Sequence, residues 1–92
     1  MYAIGGSPDG HSTLSSGERY DPAANAWSPI ASMGTARDRH AAAVIDGLLY
    51  AIGGDDGHSP FSSVERYDPV ANAWSPIASM GTARNYLAAA AI

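Results

Sequence analysis

From Arg37 onward the chain alternates between short apolar and short polar blocks, and none holds a 3.6-residue period over a useful length. His40–Ile45 is apolar and mostly alanine, which predicts a strand covered on both faces. Asp46 and Gly47 then form a two-residue hairpin turn, because both accept positive φ. Leu48–Ile52 returns as a second apolar strand ending in Gly53 and Gly54. After a polar loop, Ser63–Tyr67 sets Val64 and Tyr67 beside Glu65 and Arg66, and reads as a third strand. Asp68 and Pro69 open a turn that Asn72 closes, with the proline fixing φ at the second turn position. Ala73–Ala78 is the fourth strand. It contains Pro76, which cannot donate to a ladder and so belongs at a sheet edge. The pattern predicts a four-stranded antiparallel meander.

The same pattern is written twice. Tyr2–Gly6 recurs as Tyr50–Gly54, 48 positions on, and Asp21–Arg37 recurs as Asp68–Arg84, 47 positions on, with Val70 in place of Ala23 the one difference. A period near 50 residues with turn signals this frequent predicts a β-propeller blade rather than a helical repeat. In such a blade the alanine-rich first strand lies innermost, where strands converge and leave little room for side chains. The proline-bearing fourth strand lies outermost. Trp27 and Trp74 on the outer strands, with Tyr20 and Tyr67 beside them, are expected to fill the space between neighbouring blades.

Taken together, Arg37, His40 to Val44, Asp46-Gly47, Tyr50 to Gly54, Val64 to Pro69, Asn72 and Trp74 resemble the kelch repeat, over essentially the whole chain. The resemblance implies an all-β, kelch-type β-propeller with two four-stranded antiparallel blades per chain. Kelch propellers usually have six blades, sometimes five or seven. The near-identity of the two repeats, down to Asn25 and Asn72 or Thr35 and Thr82, further resembles designed, symmetrised propellers assembled from consensus blades.

The repeat is cut in mid-blade. Ile92 stands where Ile45 does and Met1 where Leu49 does, so blade one has its second, third and fourth strands but no inner one. Tyr86–Ile92, comprising Tyr86, Leu87, Ala88, Ala89, Ala90, Ala91 and Ile92, reads as an inner strand without a blade. The expected organisation is blade two over residues 37–84, and blade one over residues 1–36 plus strand 85–92 from a neighbouring chain. That strand would lie against Met1, Tyr2, Ala3 and Ile4 of the next copy. Head-to-tail exchange closes a ring when the rotation divides a full turn. With about 60° per blade, two blades subtend about 120° and the expected assembly is a C3 homotrimer. The partner is the chain itself, and two or four copies are the minor alternatives.

Composition narrows the chemistry. The chain is 46% apolar and 15% charged with a formal charge of −4, which disfavours nucleic acid or anionic membrane as partners. Its lack of cysteine excludes disulfides, thiolate metal sites and cysteine nucleophiles. No secretory signal or membrane span is legible, and the compartment stays open with cytosol as the default. Differences between the repeats gather in Ser7–Gly17 against Asp55–Val64, and in Asp38-Arg39-His40 against Asn85-Tyr86-Leu87. Both groups of loops leave an up-and-down meander on one face. Arg37, Asp38, Arg39, Arg84, Asn85 and Tyr86 therefore form a candidate ligand face. The family resemblance implies an acidic peptide or anion there, as in ubiquitin-ligase substrate adaptors; the alternative for Arg37 and Arg84 is hydrogen bonding to neighbouring loop carbonyls and carboxylates.

Three-fold symmetry would gather three copies of any one of His11, His40 or His58, yet they lack ligand spacing such as His-x-x-x-His, and no metal is expected. Asp9, Asp55 and Asp56 precede glycines or other aspartates as turn formers, and the chain lacks the alternating ligands of a calcium loop. Glu18, Glu65, Arg19 and Arg66 are expected to form pairs between strands or blades. No nucleophile–base–orienter set appears, so neither an enzyme nor a cofactor is expected.

Overall fold

The computed structural model describes residues 1–86, which form seven strands in chain order. These are β1 (Tyr2–Ile4), β2 (Gly17–Asp21), β3 (Ala26–Ile30), β4 (Ala41–Ile45), β5 (Leu48–Ile52), β6 (Val64–Asp68) and β7 (Ala73–Ile77). They make two antiparallel meanders, a three-stranded sheet ordered β1-β2-β3 and a four-stranded sheet ordered β4-β5-β6-β7. Two blades of a propeller are therefore present, the first one strand short among the described residues. The remainder of the expected inner strand, residues 87–92, lies outside them.

Each blade is built by local rules. Asp46 and Gly47 take φ of 51° and 78°, the left-handed pair that a two-residue hairpin between β4 and β5 requires. The turns β2–β3 and β6–β7 close on Asn25 and Asn72, at φ 49° and 48°, conformations that asparagine tolerates better than most side chains. Asp21 and Asp68 each accept a backbone N–H two residues on, fixing the entry to those turns. Tyr20 and Tyr67 donate their hydroxyls to Asn25 and Asn72 at 2.7 Å, tying each turn back to its third strand.

The strand limits differ slightly from the expected ones, for reasons visible in the backbone. β4 begins at Ala41 because Arg39, at φ 52°, turns the chain just before it. β6 begins at Val64, opposite Ile52, because Gly53 at φ 61° ends β5 there, although its N–H still donates to the Ser63 carbonyl. It continues to Asp68, which pairs with Ala73, while β7 stops at Ile77 opposite Val64. Pro76 lies on β7, the edge strand of its sheet, opposite Glu65.

The core sits where blade one meets blade two. Leu49, Ala51, Val64 and Tyr67 of the second blade are buried, with Met33 of the β3–β4 connection above them. Tyr2 of β1 meets Tyr67 edge-on, ring centroids 6.0 Å apart. The outer faces are bare by comparison. β6 buries three of its five residues, whereas β2, its counterpart, buries only Gly17. Val44 and Ile45 of the expectedly covered inner strand are 51% and 42% exposed.

Candidate protein-interaction site

The loops after β1, β3, β5 and β7 emerge together, and backbone hydrogen bonds join them. Asp38 and Asp55 exchange N–H···O bonds at 2.9 and 2.8 Å, and the Tyr86 N–H donates to the Arg39 carbonyl. On this platform Arg39 holds the Asp55 carboxylate in a two-pronged contact, Nε at 2.9 Å and Nη2 at 3.0 Å. Asn85 Nδ2 donates to the same carboxylate at 3.0 Å and the Gly57 N–H at 2.9 Å. The Arg39 guanidinium also lies 4.8 Å from the centre of the Tyr86 ring and donates to its hydroxyl. Donation from Arg39 holds Asp55 down at about 2, and the same contact raises Arg39.

The structure thus brings Asp38, Arg39, Asn85 and Tyr86 together on the expected face. It adds Asp55, the acceptor at their centre. Sequence reasoning took Asp55 for a turn former alone; its place beside a run of variable charged positions was the available signal. Tyr86 was expected to open a strand, but it sits in a turn at φ 51° and is 73% exposed. Its counterpart Arg39 has the same left-handed turn, which explains why neither residue extends into a strand.

Arg37 requires a correction. Placed on the ligand face by the sequence reading, it is fully buried and directed into the seam between the blades. Its guanidinium donates to Glu65 Oε2 through Nε and Nη2 at 3.2 and 3.1 Å. Nη1 reaches the carbonyls of Gly53 and Ser63 at 2.8 and 3.0 Å, and Nη2 reaches Ser63 Oγ at 2.9 Å. All donors of the planar fork are engaged, leaving none for an external anion. Glu65 also accepts the backbone N–H groups of Gly34 and Thr35. The expected pairing of Glu65 is therefore with Arg37 rather than with Arg19 or Arg66. With Arg37 locked inside and Arg39 committed to Asp55, Arg84 is the remaining exposed arginine of the candidate face.

A second set of contacts crosses the same seam. Trp74 Nε1 donates to the Ala31 carbonyl at 2.7 Å, and Asn72 Oδ1 accepts the Ala31 N–H at 3.0 Å. Trp74 is half-buried, and its ring lies 5.2 Å from that of Tyr67. Trp27 makes the same internal pair with Tyr20 at 5.3 Å but is 45% exposed, since no further blade covers it within the described residues.

His11 and His58 lie in exposed loops, where Asp9 and Asp56 each accept two successive backbone N–H groups and are lowered by them. His40 sits beside Gly5 and Gly54 with its Nδ1 buried and unpartnered, and burial lowers it below the ordinary imidazole value. Among the described residues no group of three metal-ligating side chains is formed, and no helix is long and apolar enough to cross a membrane.

The Kelch motif family model matches residues 1–34 and 36–81. The chain is similar to Kelch-like ECH-associated protein 1B of Danio rerio, 42% identical over 57 residues that cover 59% of this chain and 10% of that protein. It is also similar to Kelch-like protein 21 of Homo sapiens, 40% identical over 55 residues covering 60% of this chain and 9% of that protein. The chain thus spans about a tenth of the length of these curated relatives. A fungal alcohol oxidase of the AA5 family, solved in complex with copper, matches with a TM-score of 0.78 at 22% identity, over 91% of this chain and 20% of that one. At that identity the likeness carries the fold alone.

Proposed function

We propose, for a chain that belongs to the Kelch motif family, that its function is assembly: copies associate head to tail into a closed propeller, the C3 homotrimer of six blades. The observation that carries this reading is the bare edge of β1. In blade two, β5 is paired on both sides, with Ala41, Ala42 and Ala43 of β4 facing Ile52, Ala51 and Tyr50. In blade one, Ile4, Ala3 and Tyr2 repeat those residues but are paired only with β2 among the described residues. An open groove between β1 and β4, lined by Met1, Tyr2, Ala42, Ala43, Val44 and Leu49, runs beside that edge.

An unpaired strand edge beside apolar surface templates the addition of another strand. Residues 88–90 repeat Ala41–Ala43 as three alanines, so the β4–β5 register gives the partner's Ala88, Ala89 and Ala90 opposite Ile4, Ala3 and Tyr2. The near-identity of the repeats supports a symmetric, engineered scaffold rather than a pair of diverged blades. The test is native mass by light scattering at micromolar concentration. The expected value is three times the chain's 9.5 kDa, and a monomer overturns the reading.

A second reading, a protein-interaction module binding through the loop face, is favoured by Tyr86, which stands exposed on an ordered cluster. A partner there meets an aromatic ring and one free arginine rather than the basic ring that an acidic peptide would select.

A further inference from the structure

The seam between the two blades has a duplicate whose two halves make no contact with each other among the described residues. Its donor side is the connection after β3: the N–H groups of Gly34 and Thr35, the guanidinium of Arg37, and Ala31. Its acceptor side is blade two: Glu65, Ser63, the Gly53 carbonyl and the Asn72 side chain, with Trp74 donating back. Every one of these residues recurs with the same identity. Gly81, Thr82, Arg84 and Ala78 repeat the donor side after β7, and Glu18, Ser16, Gly5, Asn25 and Trp27 repeat the acceptor side in blade one.

The duplicate donor half already has the backbone anchoring of the formed seam. The connection after β3 is anchored to its own blade by three backbone bonds, Met33 N–H to Ser15, Arg37 N–H to Leu14 and Gly6 N–H to the Arg37 carbonyl. The connection after β7 repeats all three, as Met80 to Ser62, Arg84 to Phe61 and Gly54 to the Arg84 carbonyl. Gly81, Thr82 and Arg84 are exposed, as are Glu18, Asn25 and Trp27 of blade one. No hydrogen bond or ion pair to another described residue engages the Arg84 or Glu18 side chain. One free face carries a cation with spare N–H groups, and the other a carboxylate with spare carbonyls.

We infer that these two faces are each other's docking surfaces, and that the occupant of each is a second copy of this chain. Arg84 of one copy enters the next beside Glu18, Ser16 and the Gly5 carbonyl, in the five-donor arrangement that Arg37 makes internally. The exposed Trp27 indole donates to the neighbour's Ala78 carbonyl, as Trp74 does to Ala31. Two faces that differ from one another make a head-to-tail contact, which propagates in one rotational sense and closes into a ring. Charge complementarity fixes direction and register, because Arg84 against Arg84 or Glu18 against Glu18 is repulsive. The inference rests on the self-association proposed above and assigns its specificity to one charge pair.

The experiment compares the full chain with Glu18→Arg, Arg84→Glu and the double variant, by analytical ultracentrifugation at matched concentrations. Both side chains are exposed in the single chain, so circular dichroism should show the β-sheet of each variant unchanged. Each single variant should weaken assembly by about 30-fold or more, since truncating one partner of a desolvated charge pair leaves the other buried and unpaired. The double variant restores opposite charges in every seam and should recover most of the loss. Single variants that assemble as tightly as the parent overturn the seam while leaving self-association standing. Dissociated single variants that the double variant fails to rescue overturn the pairing of Arg84 with Glu18, and a parent chain that stays monomeric overturns both proposals.

Discussion

At the scale of single residues, Arg37 is fully buried and makes five hydrogen bonds. A buried guanidinium is tolerated only when its donors are filled, and here Glu65, Ser63 and Gly53 fill them. Arg37→Met should therefore cost about 3–5 kcal/mol by denaturant titration, because Glu65 is left buried with its main partner gone. Combining it with Glu65→Leu should recover part of that loss, since an apolar pair does not leave a charge stranded. Asp55 gives a pH test. Its folded value of about 2 lies below the ordinary 3.8, so its contribution is fully present above 3.8 and is lost as pH falls through 2. The stability difference between the parent and Asp55→Asn should shrink over that interval; a difference unchanged down to pH 2 would show that the Arg39 contact does not act through the carboxylate charge. The turn residues were legible in the sequence because their backbone demands are local. The burial of Arg37 was not, since an arginine beside variable loops reads as a surface residue until the neighbouring blade is in place.

At the scale of elements, the paired glycines that end β1 and β5 set how closely the connections approach the strands. Gly53 takes φ of 61°, and a Cβ there would lie 2.6 Å from the Arg84 carbonyl oxygen. Gly53→Ala should destabilise blade two by about 1–3 kcal/mol, from left-handed strain and displacement of that carbonyl. A thermal melt measures it, and an unchanged midpoint would mean that the connection after β7 yields freely. Trp74→Phe keeps the ring stacked on Tyr67 but removes the donor to Ala31. It should cost about 1–3 kcal/mol, the penalty of an unsatisfied seam carbonyl. Trp27→Phe should cost less in a monomer, where that indole faces water, and a comparable amount once copies associate. Strand order and type were readable because the proline and alanine positions name edge and axis. Strand limits shifted by a residue where Arg39 turned the chain and where Gly53 ended β5 opposite Ser63.

At the scale of the whole molecule, the exposed Trp27, Val44 and Ile45 and the β1 edge, unpaired on one side among the described residues, describe a surface suited to being covered. If copies cover it, folding and association are linked, and the melting temperature should rise with chain concentration. Melts that coincide across a hundredfold range of concentration, read by calorimetry, would mean that the two-blade unit is stable alone. The seam rather than the strand edge should dominate the specificity of that association, because the edge offers only backbone groups while the seam offers opposite charges in fixed places.

The sequence by itself determined the repeat, the meander and the turns, because each depends on residues within a few positions of one another along the chain. Only the tertiary structure decided that one arginine of the repeat is a buried clamp and its copy an exposed one. The stretches leading up to them, Asp21–Arg37 and Asp68–Arg84, differ only by Val70 for Ala23, so what separates the two is whether a neighbouring blade is there to receive them.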